Sequence, residues 1–194
     1  MNAFVTLIFS LLSLLSLSGF ALASEEHRSH THGLANLTMA YENGVIEIQF
    51  EAPAESLWGF EHKPKTQEQV DVIDKAKAIL NTPKNILSFN TNNCVASSVV
   101  VDIFGPAGET LVDKHHHDDH ENHSHAGHNE TNSSHSEARA VYVFNCTGKN
   151  QLMSVKTTLF EHFPNLEKIN VAWLTATQQG KSILRANSST FELK

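Results

Sequence analysis

Apolar and polar positions alternate from 45 to 50. Ile46, Ile48 and Phe50 fall on one side, Glu47 and Gln49 on the other, which is the period of a strand with one face buried and one in water. Residues 34–41 read as its partner, because Asn43-Gly44 accepts the positive φ that a tight hairpin turn demands. Pro53 ends the second strand. The period then changes. Val70, Ile73, Ala76, Lys77 and Leu80 are spaced three or four apart, and Thr66 with Glu68 and Gln69 supplies an N-terminal cap. Lys75 and Lys77 suit the negative end of the helix dipole, and Asn81 with Pro83 stops the run. The spacing predicts one main helix over about 66–80.

Two further strands follow from β-branched content. Residues 94–104 carry Val95, Val99, Val100, Val101 and Ile103, and residues 138–146 carry the Val141-Tyr-Val-Phe144 run. If they pair antiparallel, facing residues have numbers summing to about 240, and Cys94 with Cys146 meets that sum. A disulfide there clamps the open end of a hairpin whose other end carries the long connection at about 105–137. Thiolate metal ligation by the pair is the alternative reading, disfavoured in an oxidising compartment. The last third reads as a strand over 151–159, a short turn over 160–166, a strand over 168–177, a turn at 178–180, a return strand over 181–186 and an edge strand over 189–194. Phe-Glu-His recurs at 60–62 and 160–162, each after an expected hairpin, a weak echo that would fit a duplicated unit. The expected class is α+β: mainly antiparallel hairpins, one main helix, and a long disordered connection between two paired strands.

The first 23 residues change the domain picture. Residues 2–22 have no charged side chain, and Ala21-Leu22-Ala23 is a small-x-small cleavage pattern, so 1–23 reads as a signal peptide and 24–194 as a single metal-binding domain. A retained membrane anchor is the rival. It fits less well, because serines 10, 13, 16 and 18 interrupt the run and no basic stop follows it. A formal charge of −7 argues against nucleic acid and anionic membrane surfaces as partners and suits a protein that attracts cations.

The 105–137 connection carries the chemistry. Eight of the thirteen histidines lie in it: His115, His116, His117, His120, His123, His125, His128 and His135, with Asp118 and Asp119 among them. Imidazole is largely neutral near pH 7 and is the commonest metal-ligating side chain. Four such ligands make a zinc shell, and imidazole-rich sites also suit Cu2+ or Ni2+. The bland alternative is a solvated linker or a tag, yet this segment is internal and mixed with acids. A second candidate lies outside it. His30-Thr-His32-Gly33 places two imidazoles on one side of an extended chain. His62 and His162 read singly as packed or surface histidines. Near the His30/His32 pair, His62 becomes a candidate third ligand.

The order of these elements resembles the zinc-regulated, histidine-rich periplasmic proteins of the ZrgA type. The resemblance rests on the apolar leader, His30-Thr-His32-Gly33, Pro53-Ala-Glu-Ser-Leu-Trp-Gly-Phe-Glu-His62, the following helix, Cys94, the histidine-acid connection, Cys146 and Phe160-Glu-His-Phe-Pro164. It implies a periplasmic zinc binder that serves zinc acquisition, with the binding protein of a zinc ABC importer as its partner. The chain is too short to form the two lobes of such a binding protein itself. A metal-responsive interaction domain is one alternative function. A zinc-dependent hydrolase is another, although His-Glu-x-x-His, a Ser/His/Asp arrangement and a phosphate-cradling glycine loop are all missing from the sequence. The expectation is a binder, not an enzyme.

Overall fold

The structure is a computed structural model that describes residues 31–90, 93–109, 135–147 and 154–193. Its strands are β1 (Leu34–Glu42), β2 (Val45–Pro53), β3 (Leu87–Phe89), β4 (Cys94–Phe104), β5 (Glu137–Cys146), β6 (Ser154–Thr157), β7 (Lys168–Thr175), β8 (Gln179–Leu184) and β9 (Thr190–Glu192). Its helices are α1 (Ala54–Trp58), α2 (Gln67–Leu80) and α3 (Leu159–His162). The first hairpin forms as the turn chemistry requires. Glu42 faces Val45, with Asn43 at φ 50° and Gly44 at φ 79°. A β-carbon at Gly44 would lie 2.9 Å from the Cys146 carbonyl oxygen, so the position also excludes a side chain. Helix α2 starts at the expected cap, where Thr66 Oγ1 accepts from the Gln69 amide at 3.3 Å.

The expected α+β class is not what forms. Half of the structure is strand (50%) and 22% is helical, gathered in two sheets and three small helices, so the architecture is mostly β. The larger sheet has six strands in the order β4-β5-β2-β1-β7-β8, and the smaller has β3-β6-β9. It is not purely a set of hairpins either. β1 and β7 lie side by side in parallel, with Leu34 beside Lys168 and Tyr41 beside Thr175. Strands from opposite ends of the chain carry no local turn signal that would announce such a pair. β3, β6 and β9 span three or four residues each, too few for alternation to register, and α1 and α3 are shorter than the window that helical periodicity needs. The two Phe-Glu-His triplets do not share a conformation: 60–62 follows α1, whereas 160–162 lies inside α3.

One face of the large sheet is the core wall. Leu37, Met39, Ile46, Ile48, Phe50, Tyr142, Phe144, Ile169, Val171 and Trp173 are all buried there. They form one cluster with Ala76 and Leu80 of α2, Leu87, Val155 and Phe191 of the small sheet, and Leu159 and Phe160 of α3. Each fully buried Ile, Leu or Phe contributes about 1.5–3 kcal/mol. The Tyr142 hydroxyl donates to the Leu80 carbonyl at 3.0 Å, fastening the C-terminal end of α2 to β5, and burial pushes its pKa upward.

The cysteine register holds. Cys94 faces Cys146 and the two are disulfide-bonded. Facing numbers in β4 and β5 sum to 240 on the cysteine side and to 241 beyond an irregularity between Ala96 and Ser98, a one-residue bulge in β4. β5 runs for ten residues from Glu137 to Cys146, which puts the disulfide roughly 30 Å from the start of that strand. Substituting both cysteines by alanine is expected to destabilise the protein by about 2 kcal/mol in urea unfolding. That is the low end for disulfides, because β5 is already held along its other side by β2. An unchanged urea midpoint would show that pairing with β2 alone holds β5 in place.

Candidate metal centre

At one end of the large sheet β1, β5 and β7 begin while β2 and β4 end, and three short segments meet there. The entry segment arrives first. The Gly33 amide donates to the buried Ser56 Oγ at 3.0 Å, and the Gly33 carbonyl accepts from the amides of Glu167 and Lys168. Gly33 sits at φ 75°, a left-handed conformation that glycine adopts without cost. This turn fixes His32 two residues before β1. Next comes α1, which carries Glu55 and closes at Gly59 with φ 90°. The chain beyond Gly59 then brings Phe60, Glu61 and His62.

The third segment is the start of β5. Ser136 is fully buried and ties the others together. Its carbonyl accepts from the Ala54 amide at 2.9 Å, its Oγ donates to the Glu61 carbonyl at 2.5 Å, and the same Oγ accepts from the Ala107 amide at 2.8 Å. Gly105, at φ 80°, lets β4 leave beneath it, since a β-carbon there would lie 2.4 Å from the His135 carbonyl oxygen. Ser136→Ala is expected to lower stability by about 1–3 kcal/mol, read as a drop in melting temperature, because it leaves a buried amide and carbonyl without their partner. An unchanged melting temperature would show that Ser136 does not hold the segments together.

His32, Glu55 and Glu61 each offer a ligand atom within 4.8 Å of the other two. His32 Nδ1 pairs with Glu55 Oε2, and His135 Nδ1 donates to Glu61 Oε2 at 2.5 Å. The side chains of His32, Glu55 and His135 are 62%, 42% and 57% exposed, but that of Glu61 is only 12% exposed. Glu61 is thus the floor and the others the rim. Among the described residues, the buried side-chain polar atoms without a hydrogen-bond partner are Trp58 Nε1 and Glu61 Oε1, both in the stretch 58–61. A buried carboxylate oxygen with no donor is costly, and a cation is the partner that would satisfy it.

The donor set fits zinc. One imidazole nitrogen and two carboxylate oxygens belong to its usual ligands, and a tetrahedral shell with bonds of ~2 Å has its donors ~3.3 Å apart, within reach of small side-chain rotations. Two carboxylates in a chain of net charge −7 also draw cations in.

The sequence-predicted ligands divide into three groups. His32 is in the centre. His135 touches it through Glu61. His62 is turned elsewhere, its Nδ1 donating to the Lys63 carbonyl at 2.8 Å and its ring stacked on Phe60 with centroids 4.8 Å apart. His30, His115, His116, His117, Asp118, Asp119, His120, His123, His125 and His128 lie outside the described residues, as does the 1–23 leader. The two flanks of the histidine-rich connection both reach the Glu61 segment: Lys63 Nζ pairs with Glu109 Oε2 at 2.8 Å before it, and His135 pairs with Glu61 after it.

Glu55 and Glu61 escape a reading of sequence alone. Their one signal is position, since both are the acids in and at the edge of the run 52–60, which is apolar apart from Glu55 and Ser56. Among the described residues no helix is long and apolar enough to cross a membrane. A comparison with curated proteins gave no match. A family model described as ZrgA family zinc uptake protein matches residues 29–193, which takes in every residue of the centre. The chain therefore belongs to the ZrgA family of zinc uptake proteins.

Proposed function

We propose that this protein is an exported, periplasmic zinc binder that captures and buffers the metal at two kinds of site and supports its uptake through an ABC importer. The observation that carries this reading is the His32/Glu55/Glu61 centre with its unpartnered Glu61 oxygen, in a chain of a zinc uptake family. The histidine-rich connection supplies capacity: its imidazoles and acids collect borderline divalent ions, including Cu2+ and Ni2+. The folded centre supplies a defined ligand set. Export follows from cleavage of residues 1–23, and the Cys94–Cys146 disulfide suits an oxidising compartment. The molecule acts as a binder rather than a catalyst. Its rim ligands His32 and Glu55 open to solvent, which favours exchange of an ion. Catalytic zinc needs rigid ligands, an open position and a general base held against the substrate.

Native mass spectrometry at pH 7.5 with limiting Zn2+, Cu2+ or Ni2+ tests this on two full-length mature chains. One is the parent. In the other, His115, His116, His117, His120, His123, His125 and His128 are replaced by serine. The parent is expected to hold several ions, and the serine chain to keep one zinc that His32→Ala removes. Equal stoichiometry in both chains would overturn the capacity role of the connection. A serine chain that holds no zinc would overturn the folded centre.

A further inference from the structure

We infer that His135 is the fourth ligand of the folded centre, so that the ion is held by His32, Glu55, Glu61 and His135. The inference rests on the zinc-binding reading above and names how the site closes. His135 stands outside the three-way group, yet its Nδ1 lies 2.5 Å from Glu61 Oε2, the carboxylate inside that group. Its backbone is fixed by the residue that follows, because Ser136 is anchored to α1, to the Glu61 carbonyl and to the Ala107 amide in the turn after β4. The imidazole, 57% exposed, is therefore held beside the site by buried structure.

Without metal the ring's Nδ1–H donates to Glu61. When zinc enters, that proton moves to Nε2, Nδ1 offers its lone pair to the ion, and Glu61 turns its oxygens from a histidine donor to the metal. Three protein ligands become four, and a His2Glu2 shell is closed in the manner of zinc sites that retain rather than process their ion. His135 is also the last histidine of the dense run that begins at His115. The fourth ligand is thus shared between the histidine-rich stretch and the fold, and an ion passed to His135 by ligand exchange arrives at the centre already bound through one of its own ligands.

The test uses the full-length chain with the seven serines at 115–128, loaded with Co2+ as an absorbing stand-in for zinc, and the same chain carrying His135→Ala. Four-coordinate cobalt absorbs strongly in the visible, and five- or six-coordinate cobalt absorbs weakly. The parent is expected to give the strong spectrum. His135→Ala is expected to give a weaker, shifted one and a zinc affinity ten- to a hundredfold lower against a competing chelator. Added imidazole is expected to restore both. Circular dichroism of the two chains should match, since the substituted side chain is largely exposed. An unchanged cobalt spectrum and zinc affinity in His135→Ala would overturn the inference and leave the three-residue centre standing. Lower affinity with an unchanged spectrum and no imidazole rescue would overturn it too, making His135 a positioning residue for Glu61. A parent chain that binds neither metal would overturn the zinc-binding reading itself.

Discussion

Replacing Glu61 by glutamine is expected to weaken zinc binding at the folded centre by about a hundredfold or more without making the metal-free protein less stable. The two halves of this result have one cause. Glu61 is the buried member of the centre, with one oxygen bonded to His135 and the other bonded to nothing among the described residues. Structural zinc sites are worth about 10–16 kcal/mol, so one ligand in four carries about 3 kcal/mol, on the order of a hundredfold in affinity. Without metal the balance differs. A mostly buried carboxylate with one oxygen lacking a donor is a burden on the fold, and its partner His135 is more than half exposed, where an ion pair returns little. An amide of the same shape keeps the packing and removes the charge. Isothermal titration at pH 7.5 in the serine-substituted background measures the first half, and thermal unfolding in the presence of chelator measures the second. A metal-free Glu61→Gln protein that melts several degrees lower would mean that the carboxylate serves the fold and not an ion. The contrast with Ser136→Ala sharpens the test, because that change is expected to lower stability with or without metal.

The parts of this molecule that were legible in sequence are those whose signal is local. Asn43-Gly44 sets a register over a few residues, the Thr66 cap and three-four spacing set α2, and the cysteine numbers fix how β4 lies on β5. The parallel contact of β1 with β7 was not legible, because its partners lie 134 residues apart and neither strand encodes the other. That contact and the three short strands turn an expected set of hairpins on a helix into a mostly-β fold of two sheets. The candidate site divides along the same line. His32 stood out because His-x-His is a local chelate pattern. Glu61 did not, because a glutamate beside a phenylalanine looks like any surface acid until Ser136 arrives from 75 residues away and takes its carbonyl. His62 drew attention as a histidine, but its ring is occupied by Phe60 and the Lys63 carbonyl. Composition pointed to metal-ligating side chains, and tertiary structure places the neighbouring Glu61 within reach of His32 and Glu55.

Zinc in large excess over its dissociation constant is expected to raise the melting temperature of the parent by about 10 °C, and His32→Ala is expected to remove most of that rise while most of the bound zinc remains. At a thousandfold excess, a ligand that binds only the folded state stabilises it by about 4 kcal/mol, and a protein of this size gains roughly 2–4 °C per kcal/mol. The centre meets the condition, because its ligands come from the entry segment before β1, from α1 and from the stretch after Gly59, and converge only once the first is bonded through Gly33 to Ser56, Glu167 and Lys168 and the other two to Ser136. The histidines from His115 to His128 do not meet it. They are close in sequence, so an unfolded chain can gather them around an ion nearly as well, and metal bound equally to both states shifts no equilibrium. Stoichiometry and stabilisation should therefore separate: the serine substitutions remove most of the bound zinc and little of the thermal shift, and His32→Ala does the reverse. Differential scanning calorimetry with and without zinc, paired with metal analysis of the same samples, reads both quantities. A thermal rise that survives His32→Ala but vanishes with the seven serines would move the defined site out of the fold and into the connection.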